Sequence, residues 1–452
     1  MEARALGTAG HRLRALNLIG GQWQPAAGAR EGDSINPANG REIGAFAASG
    51  TADAIQAVEA ARRAFDAGGL SPDPARRAAL LLRWAERLAA RGDLAQLLTL
   101  ENGKVLAQSR QEIAAAVACV RQCAAQLQQG VAPAMQAAGV VAIIVPWHAP
   151  VASLVAWLAP ALAAGCVAVV KPARQSAQVS AAVIAELAAV EGLPGGVVNL
   201  VSETGQEVAR ELVASCQVDV LCFTGSQETG RKMTVAAAPS AKKLLFDLTR
   251  KSCSLVFSDI DVQAVAARLA AAAIVGSGQH GGAPRRILVH ASCFEQAKAA
   301  LKRALEQVVV GAGDRAGCGM GPLIDAPALV AVGVRTEQAL ARCDEVVLHG
   351  RRAGGELADG YFLSPTLVAQ RDCGEEIYGP FVSLGRFEED GEAVACANAM
   401  PMARSVSVWT GDAVRAKRLA RALRNDRILV NQHDWLAPGG SMVSDFFAMP
   451  GH

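Results

Sequence analysis

Between residues 139 and 226 the chain alternates short β-branched runs with longer apolar helical runs. That alternation limits the fold more than any other feature. GVVAIIVP (139–146), CVAVVKP (166–172), GVVNLVS (196–202) and VDVLCFTGS (218–226) read as buried strands. ASLVAWLAPALAAG (152–165) and SAAVIAELAAVEG (180–192) read as helices between them. Strands and helices at this spacing predict an α/β architecture with a parallel, doubly wound sheet. Right-handed crossovers then gather the strand C-terminal ends on one edge, where a nucleotide would sit. A second alternating series runs through 254–257, 265–275, 285–290, 294–309, 345–348, 381–387, 404–409 and 412–425, enough for a second α/β domain. The boundary is expected near 245–255, with no Ser- or Pro-rich linker and no internal repeat.

Ahead of these series, NLIGGQWQ (17–24) predicts a hairpin turning on Gly-Gly. The segment 51–68 predicts a helix starting at Thr51 and Asp53 and stopping at Gly68, and 74–92 and 93–129 continue as helices. A length of 452 residues exceeds one ordinary core. With 51% hydrophobic and 19% charged residues the chain is globular. A net charge of +2 and 4% aromatic residues give no case for nucleic acid or an anionic membrane. The long apolar stretch Gly139 to Val170 is interrupted by Pro146, His148, Pro150, Pro160 and Gly165, so it reads as buried strand, helix and strand rather than a lipid-spanning helix. Met1 to Arg14 has no apolar signal core. The 11 cysteines stand singly, with no CxxC pair, so no zinc or other metal site is expected and a cytoplasmic location is.

Three places carry candidate chemistry. Lys171 closes a strand and aims its ammonium at the nucleotide edge, although a surface lysine at a strand end is the plainer reading. FTGSQETG (223–230) leads from a strand into a helix: Gly225 allows close backbone approach, and Ser226 adds a hydroxyl to the N–H groups of the helix start. By itself this glycine turn is a weak signal, because it lacks the GxGxxG spacing. In EEIYGP (375–380) an acidic side chain could accept from ribose hydroxyls, though such a loop charge is more often simply solvated.

Together with INPANG (35–40), PWHAP (146–150), LAPALAAGCVAVVKP (158–172), GLPGGVVNLVS (192–202), GQ (278–279), GPLID (321–325), GYFLSPTLV (360–368) and VNQH (430–433), these stretches run in order along a chain that resembles the aldehyde dehydrogenase superfamily. The resemblance implies a Rossmann-like dinucleotide-binding domain over 1–249, a catalytic-type α/β domain over 250–436 and a C-terminal segment over 437–452. It assigns Lys171 to the adenosine ribose, Ser226 to the pyrophosphate and Glu376 to the nicotinamide ribose. Tyr378 stands where a phenylalanine usually flanks the nicotinamide, and Trp147 lies in a loop whose backbone touches the cofactor. Arg174 stands where NAD-using members often carry a glutamate. A cation there can pair with a 2′-phosphate, so the cofactor expected is NADP before NAD.

The catalytic set departs from the family. Its nucleophilic cysteine belongs two residues after the GQ pair, and here that residue is Gly281, preceded by His280. Where the family has an oxyanion-binding asparagine, this chain has His148, and Asp247 replaces the water-activating glutamate. Thr249 and Arg250 replace two glycines, and Arg250 is expected to fill space between nicotinamide and nucleophile. Without a thiolate no hydride-donating adduct forms. The expectation is therefore a pseudoenzyme, a binding or scaffolding subunit that partners an active paralogue or another protein. One alternative is an NAD(P)-dependent oxidoreductase in which His148 or His280 assists hydride transfer without a covalent intermediate. Another is a relocated nucleophile, Cys253. The family's oligomerisation flap is expected to be reduced, with a remnant near 130–139 and a short C-terminal segment. A dimer is compatible with this; the usual flap-mediated tetramer is not expected.

Overall fold

A computed structural model describes residues 13–130, 136–248, 252–371, 376–399, 405–425, 427–433 and 443–446. Two seven-stranded sheets dominate it. The first has the order Lys243–Leu248, Val220–Gly225, Val140–Ile144, Val167–Lys171, Val198–Leu200, Asn17–Ile19, Gln22–Gln24. Its first five strands are parallel, and the Gly20-Gly21 hairpin adds two antiparallel strands at one edge. The chain steps outward from Val140–Ile144 through Val167–Lys171 to Val198–Leu200, then returns to the other side at Val220–Gly225. That reversal opens the crevice in which such sheets bind ligands. The second sheet has the order Glu345–Leu348, Thr366–Ala369, Phe381–Phe387, Pro284–His290, Ser252–Val256, Ser405–Trp409, Arg427–Val430, with only Glu345–Leu348 antiparallel. Leu248 ends the last strand of one sheet and Ser252 opens the other.

The apolar stretch belongs to the interior. Val140–Ile144 is buried at every residue, and the helix Pro150–Ala164 is buried on nearly all sides. A helix apolar all round suits a core. Among the described residues no helix is long and apolar enough to cross a membrane, and no group of His, Cys, Asp or Glu could hold a metal ion.

Several elements depart from expectation. The segment 93–129 is two helices, Leu94–Asn102 and Leu106–Gln128. They break at Gly103 (φ +80°), where an added Cβ would lie 2.7 Å from Pro322. The helix Ala326–Leu340 was not expected, because its valines and Gly333 obscure the helical signal. A three-stranded sheet of Leu13–Ala15, Arg41–Ala47 and Glu31–Asn36 was also not expected. Nor were the strands Lys243–Leu248, Thr366–Ala369 and Arg427–Val430, which are short or only half-buried and carry little pattern.

Buried carboxylates set the helices around the crevice. Glu101 accepts from the N–H groups of Gln178 and Val179, both at 2.9 Å, in the first turn of the helix Ala177–Ala188. Glu112 accepts from Val151 and Ala152 at 2.9 and 3.1 Å, at the start of Pro150–Ala164, and pairs with buried Lys104. Each supplies a helix with the acceptor that its own N-cap lacks. The turn Val443–Phe446 returns to the first domain and packs against Pro150–Ala164. The Phe446 ring is fully buried, and its carbonyl accepts from Ala138 N–H at 2.9 Å and Cys166 Sγ at 3.2 Å. Residues 131–135, inside the proposed flap remnant, lie outside the described residues.

Two measurements test this packing. Phe446→Ala is expected to cost about 3–5 kcal/mol in denaturant unfolding; an unchanged midpoint would show that the turn adds nothing. Burial pushes the Glu101 carboxyl up to about 7, against the hydrogen bonds that favour its charged form. The native state then binds the extra proton, so this contribution is present below about 4.5 and lost as pH rises toward 7. Glu101→Gln is expected to flatten that part of the stability profile by on the order of 3 kcal/mol; parallel profiles would contradict it.

Candidate active site

The loop after Val140–Ile144 forms one wall of the crevice. Asn102 Nδ2 donates to the Trp147 carbonyl at 2.7 Å and fixes that loop. The Trp147 and His148 rings meet edge to face at 6.0 Å, and His148 meets His280 in the same way at 5.4 Å. The structure therefore joins two histidines that lie far apart in sequence. Lys171, at the next strand's end, donates to the Pro172 carbonyl at 3.1 Å and sits 3.1 Å from buried Glu203. The Arg174 side chain is about half exposed (53%), and its guanidinium lies 3.8 Å from Asp325. At the end of Val220–Gly225, an added Cβ at Gly225 would lie 2.3 Å from the Phe223 ring. Ser226 caps the helix Gln227–Ala237, its Oγ accepting from Thr229 N–H at 3.2 Å.

The opposite wall comes from the second domain. Gly276, Ser277 and Gly278 all have positive φ (54°, 59° and 71°), a sharp turn that only hydrogen bonds and tight packing would hold. Ser277 Oγ donates to the Gly321 carbonyl at 2.7 Å, and an added Cβ at Gly278 would lie 2.0 Å from the Gly379 oxygen. Gln279 is structural: its Nε2 donates to Gly276 at 2.9 Å and its Oε1 accepts from Ile324 N–H at 3.0 Å. His280 is buried, and its Nδ1 accepts from Gly282 N–H at 3.0 Å. A neutral ring so bonded carries its proton on Nε2. Gly281 is buried, and its carbonyl accepts from Ser252 Oγ at 3.0 Å. His433 Nε2 donates to the Gly282 carbonyl at 2.6 Å.

Sequence reasoning missed the residue that organises this wall. Arg285 is buried at the start of Pro284–His290. Its Nε donates to the Ile377 carbonyl at 3.0 Å, and its Nη2 donates to Gly278 and His280 at 2.8 and 3.1 Å. Its Nη1 lies 3.6 Å from Glu376 Oε1, and its guanidinium carbon lies 4.3 Å from the centre of the Tyr378 ring. One cation thus joins the turn at 278–280 to the loop at 376–378. The available signal was the adjacent pair Arg285-Arg286 in an otherwise apolar strand.

Asp247 is half-buried on the edge strand, in register with Thr224, one residue before Gly225. Cys253 is fully buried among Leu255, Phe257, Leu288, Phe387 and Val406. Its neighbours in the strand, Ser252 and Ser254, instead bond Ser405 and Ser407 at 3.0 and 2.7 Å. A thiol in an apolar core offers an aldehyde no approach, which removes the ground for a relocated nucleophile at Cys253. Thr249 and Arg250 lie outside the described residues.

The two ends of a dinucleotide meet different surroundings. At the adenosine end, the ammonium of Lys171, the helix start at Ser226 and the tight backbone at Gly225 are the donor set that a phosphorylated adenosine requires, so these residues fit. At the nicotinamide end, Glu376 turns one oxygen, Oε1, toward Arg285 and keeps 20% of its side chain exposed, and the Tyr378 ring lies against the same guanidinium.

Comparison with known proteins agrees with this architecture. Residues 23–442 match the aldehyde dehydrogenase family. The chain is 32% identical over 438 residues to the glutarate-semialdehyde dehydrogenase of Pseudomonas putida, covering 93% of this chain and 90% of that protein. It is 31% identical to the NADP(+) succinate-semialdehyde dehydrogenase GabD of Escherichia coli, with the same coverage. Its fold superposes on betaine aldehyde dehydrogenase of Staphylococcus aureus in complex with NAD+ with a TM-score of 0.89 at 28% identity, covering 93% of this chain and 88% of that one. With its two sheets, its crevice and the ordered motifs along both walls, the chain is a member of the aldehyde dehydrogenase family.

Proposed function

We propose that this member of the family does not oxidise aldehydes through a thioester and acts as a binding or scaffolding subunit. The supporting observation is Gly281, buried in the turn where the family's nucleophile belongs, with its carbonyl engaged by Ser252 and no side chain to attack a carbonyl carbon. Ten of the 11 cysteines are described, and of the five in the second domain Cys396 is partly buried against the same core as Cys253. Cys293 donates to His290 at 3.4 Å, Cys318 to Gly311 at 3.3 Å and Cys343 to Leu340 at 3.3 Å, while Cys253 lies in an apolar core.

The edge-to-face pair of His148 and His280 favours the alternative, a histidine-assisted oxidoreductase. One observation weighs against it: His280 Nδ1 already accepts from Gly282 N–H. The preference for a 2′-phosphorylated nucleotide rests on Arg174, whose half-exposed guanidinium lies 3.8 Å from the Asp325 carboxylate. The partner proposed for such a subunit is a protein, either an active paralogue or an unrelated chain, in the cytoplasm and without a flap-mediated tetramer.

The test is NAD(P)H absorbance with glutarate semialdehyde, succinate semialdehyde and phenylacetaldehyde. No rate above the protein-free blank is expected with either cofactor. Turnover that survives thiol alkylation would establish the histidine-assisted alternative, and turnover abolished by alkylation would restore thioester chemistry.

A further inference from the structure

We propose that a pocket at the opposite edge of the first sheet from the crevice binds a short dicarboxylate through Arg76, Arg77 and Arg83. This goes beyond the reading of the crevice and does not depend on it.

The helix Pro74–Ala90 carries Arg76, Ala79, Leu80 and Arg83 at spacings of three and four, along one face. That face borders a pocket of about 320 Å³, with Leu70 and Pro194 among its other walls. Arg77 lines the same pocket and is buried. Its Nε donates to the Ala163 carbonyl at 2.8 Å, and its Nη1 donates to Ser71 and Pro72 at 2.8 and 2.9 Å. Among the described residues its Nη2 has no acceptor, and no carboxylate lies within ion-pair distance of it. Burial lowers the Arg77 pKa, opposed by the charges of Asp73 and Cys166. Asp73 is already the N-cap of the helix, accepting from Ala75 N–H at 2.9 Å. An anion in the pocket supplies the missing acceptor and the missing charge together.

The two arginines at the rim are loosely held. Arg76 is exposed and lies 3.8 Å from Asp73, and exposed Arg83 donates a long bond of 3.4 Å to the Glu191 carbonyl. Contacts of this kind contribute little and are readily exchanged for a ligand. Three guanidinium groups offer more donors and charge than one carboxylate answers. The walls between them are the apolar side chains of Leu70, Ala79, Leu80 and Pro194, which suit carbon better than the further oxygens of a phosphate. A short carbon chain with a carboxylate at each end meets both conditions.

The pocket is distinct from the crevice. An added Cβ at Gly69, next to Leu70, would lie 3.5 Å from Val167, which opens the strand that Lys171 closes. Along that strand the two ends are about 13 Å apart. Ala163, the acceptor of Arg77 Nε, likewise stands at the end of the helix Pro150–Ala164, whose start follows His148.

Calorimetric titration of the full chain with glutarate, acetate and phosphate tests the proposal, with hydrogen–deuterium exchange in glutarate to locate the site. One glutarate per chain is expected to bind, about tenfold tighter than acetate or phosphate, with protection at 70–83 and 192–194. The double variant Arg76→Gln/Arg83→Gln is expected to keep its unfolding midpoint, since both side chains are exposed, and to bind glutarate about tenfold more weakly. If the double variant does not fold, Arg83→Gln alone carries the same test, with weaker glutarate binding expected. No saturable binding, acetate or phosphate as tight as glutarate, protection confined to the crevice, or unchanged affinity in the variant overturns the proposal.

Discussion

A single buried guanidinium holds together the wall on which the proposed function depends. Arg285 bonds carbonyls from two loops distant in sequence, 278–280 and 377, and supplies the charge opposite Glu376. A buried cation is tolerated only when its donors and its charge are both answered. Here backbone oxygens answer Nε and Nη2, and a carboxylate answers the charge. The same interactions that stabilise the wall therefore give one Glu376 oxygen a structural partner.

The rest of the site follows from close backbone approach. Gly278 packs on the Gly379 oxygen, and Ser277 is kept at positive φ by its bond to Gly321. These contacts bring the turn that carries His280 and Gly281 toward the first domain, where His280 meets His148. Behind the opposite wall, Glu101 and Glu112 anchor the helices that follow Lys171 and His148. The two walls are thus set by polar contacts around the crevice, while the sheets behind them are set by apolar burial.

That division explains what could be read from the sequence. Val140–Ile144 and Val167–Lys171 are buried parallel strands and read as unbroken β-branched runs, so the sheet and its crevice were legible. The hairpin was legible because Gly20 and Gly21 both take the positive φ that its turn demands. Lys243–Leu248 was not, because it is a half-buried edge whose pairing is decided by Val220–Gly225. Lys171, Ser226 and Gly281 stand at strand ends and turns, where motif order puts them. Arg285 was not, because its partners are backbone carbonyls and a loop carboxylate brought near only by folding. A sequence motif records residue types; it does not record which carbonyl a guanidinium reaches.

The central claim is that no acyl-enzyme forms at the position now held by Gly281. Intact-protein mass spectrometry after mixing the chain with succinate semialdehyde and NADP tests it directly. The account predicts the unmodified mass at every time point. A mass increase matching a succinyl thioester, mapped by digestion to a cysteine-containing peptide, would contradict it.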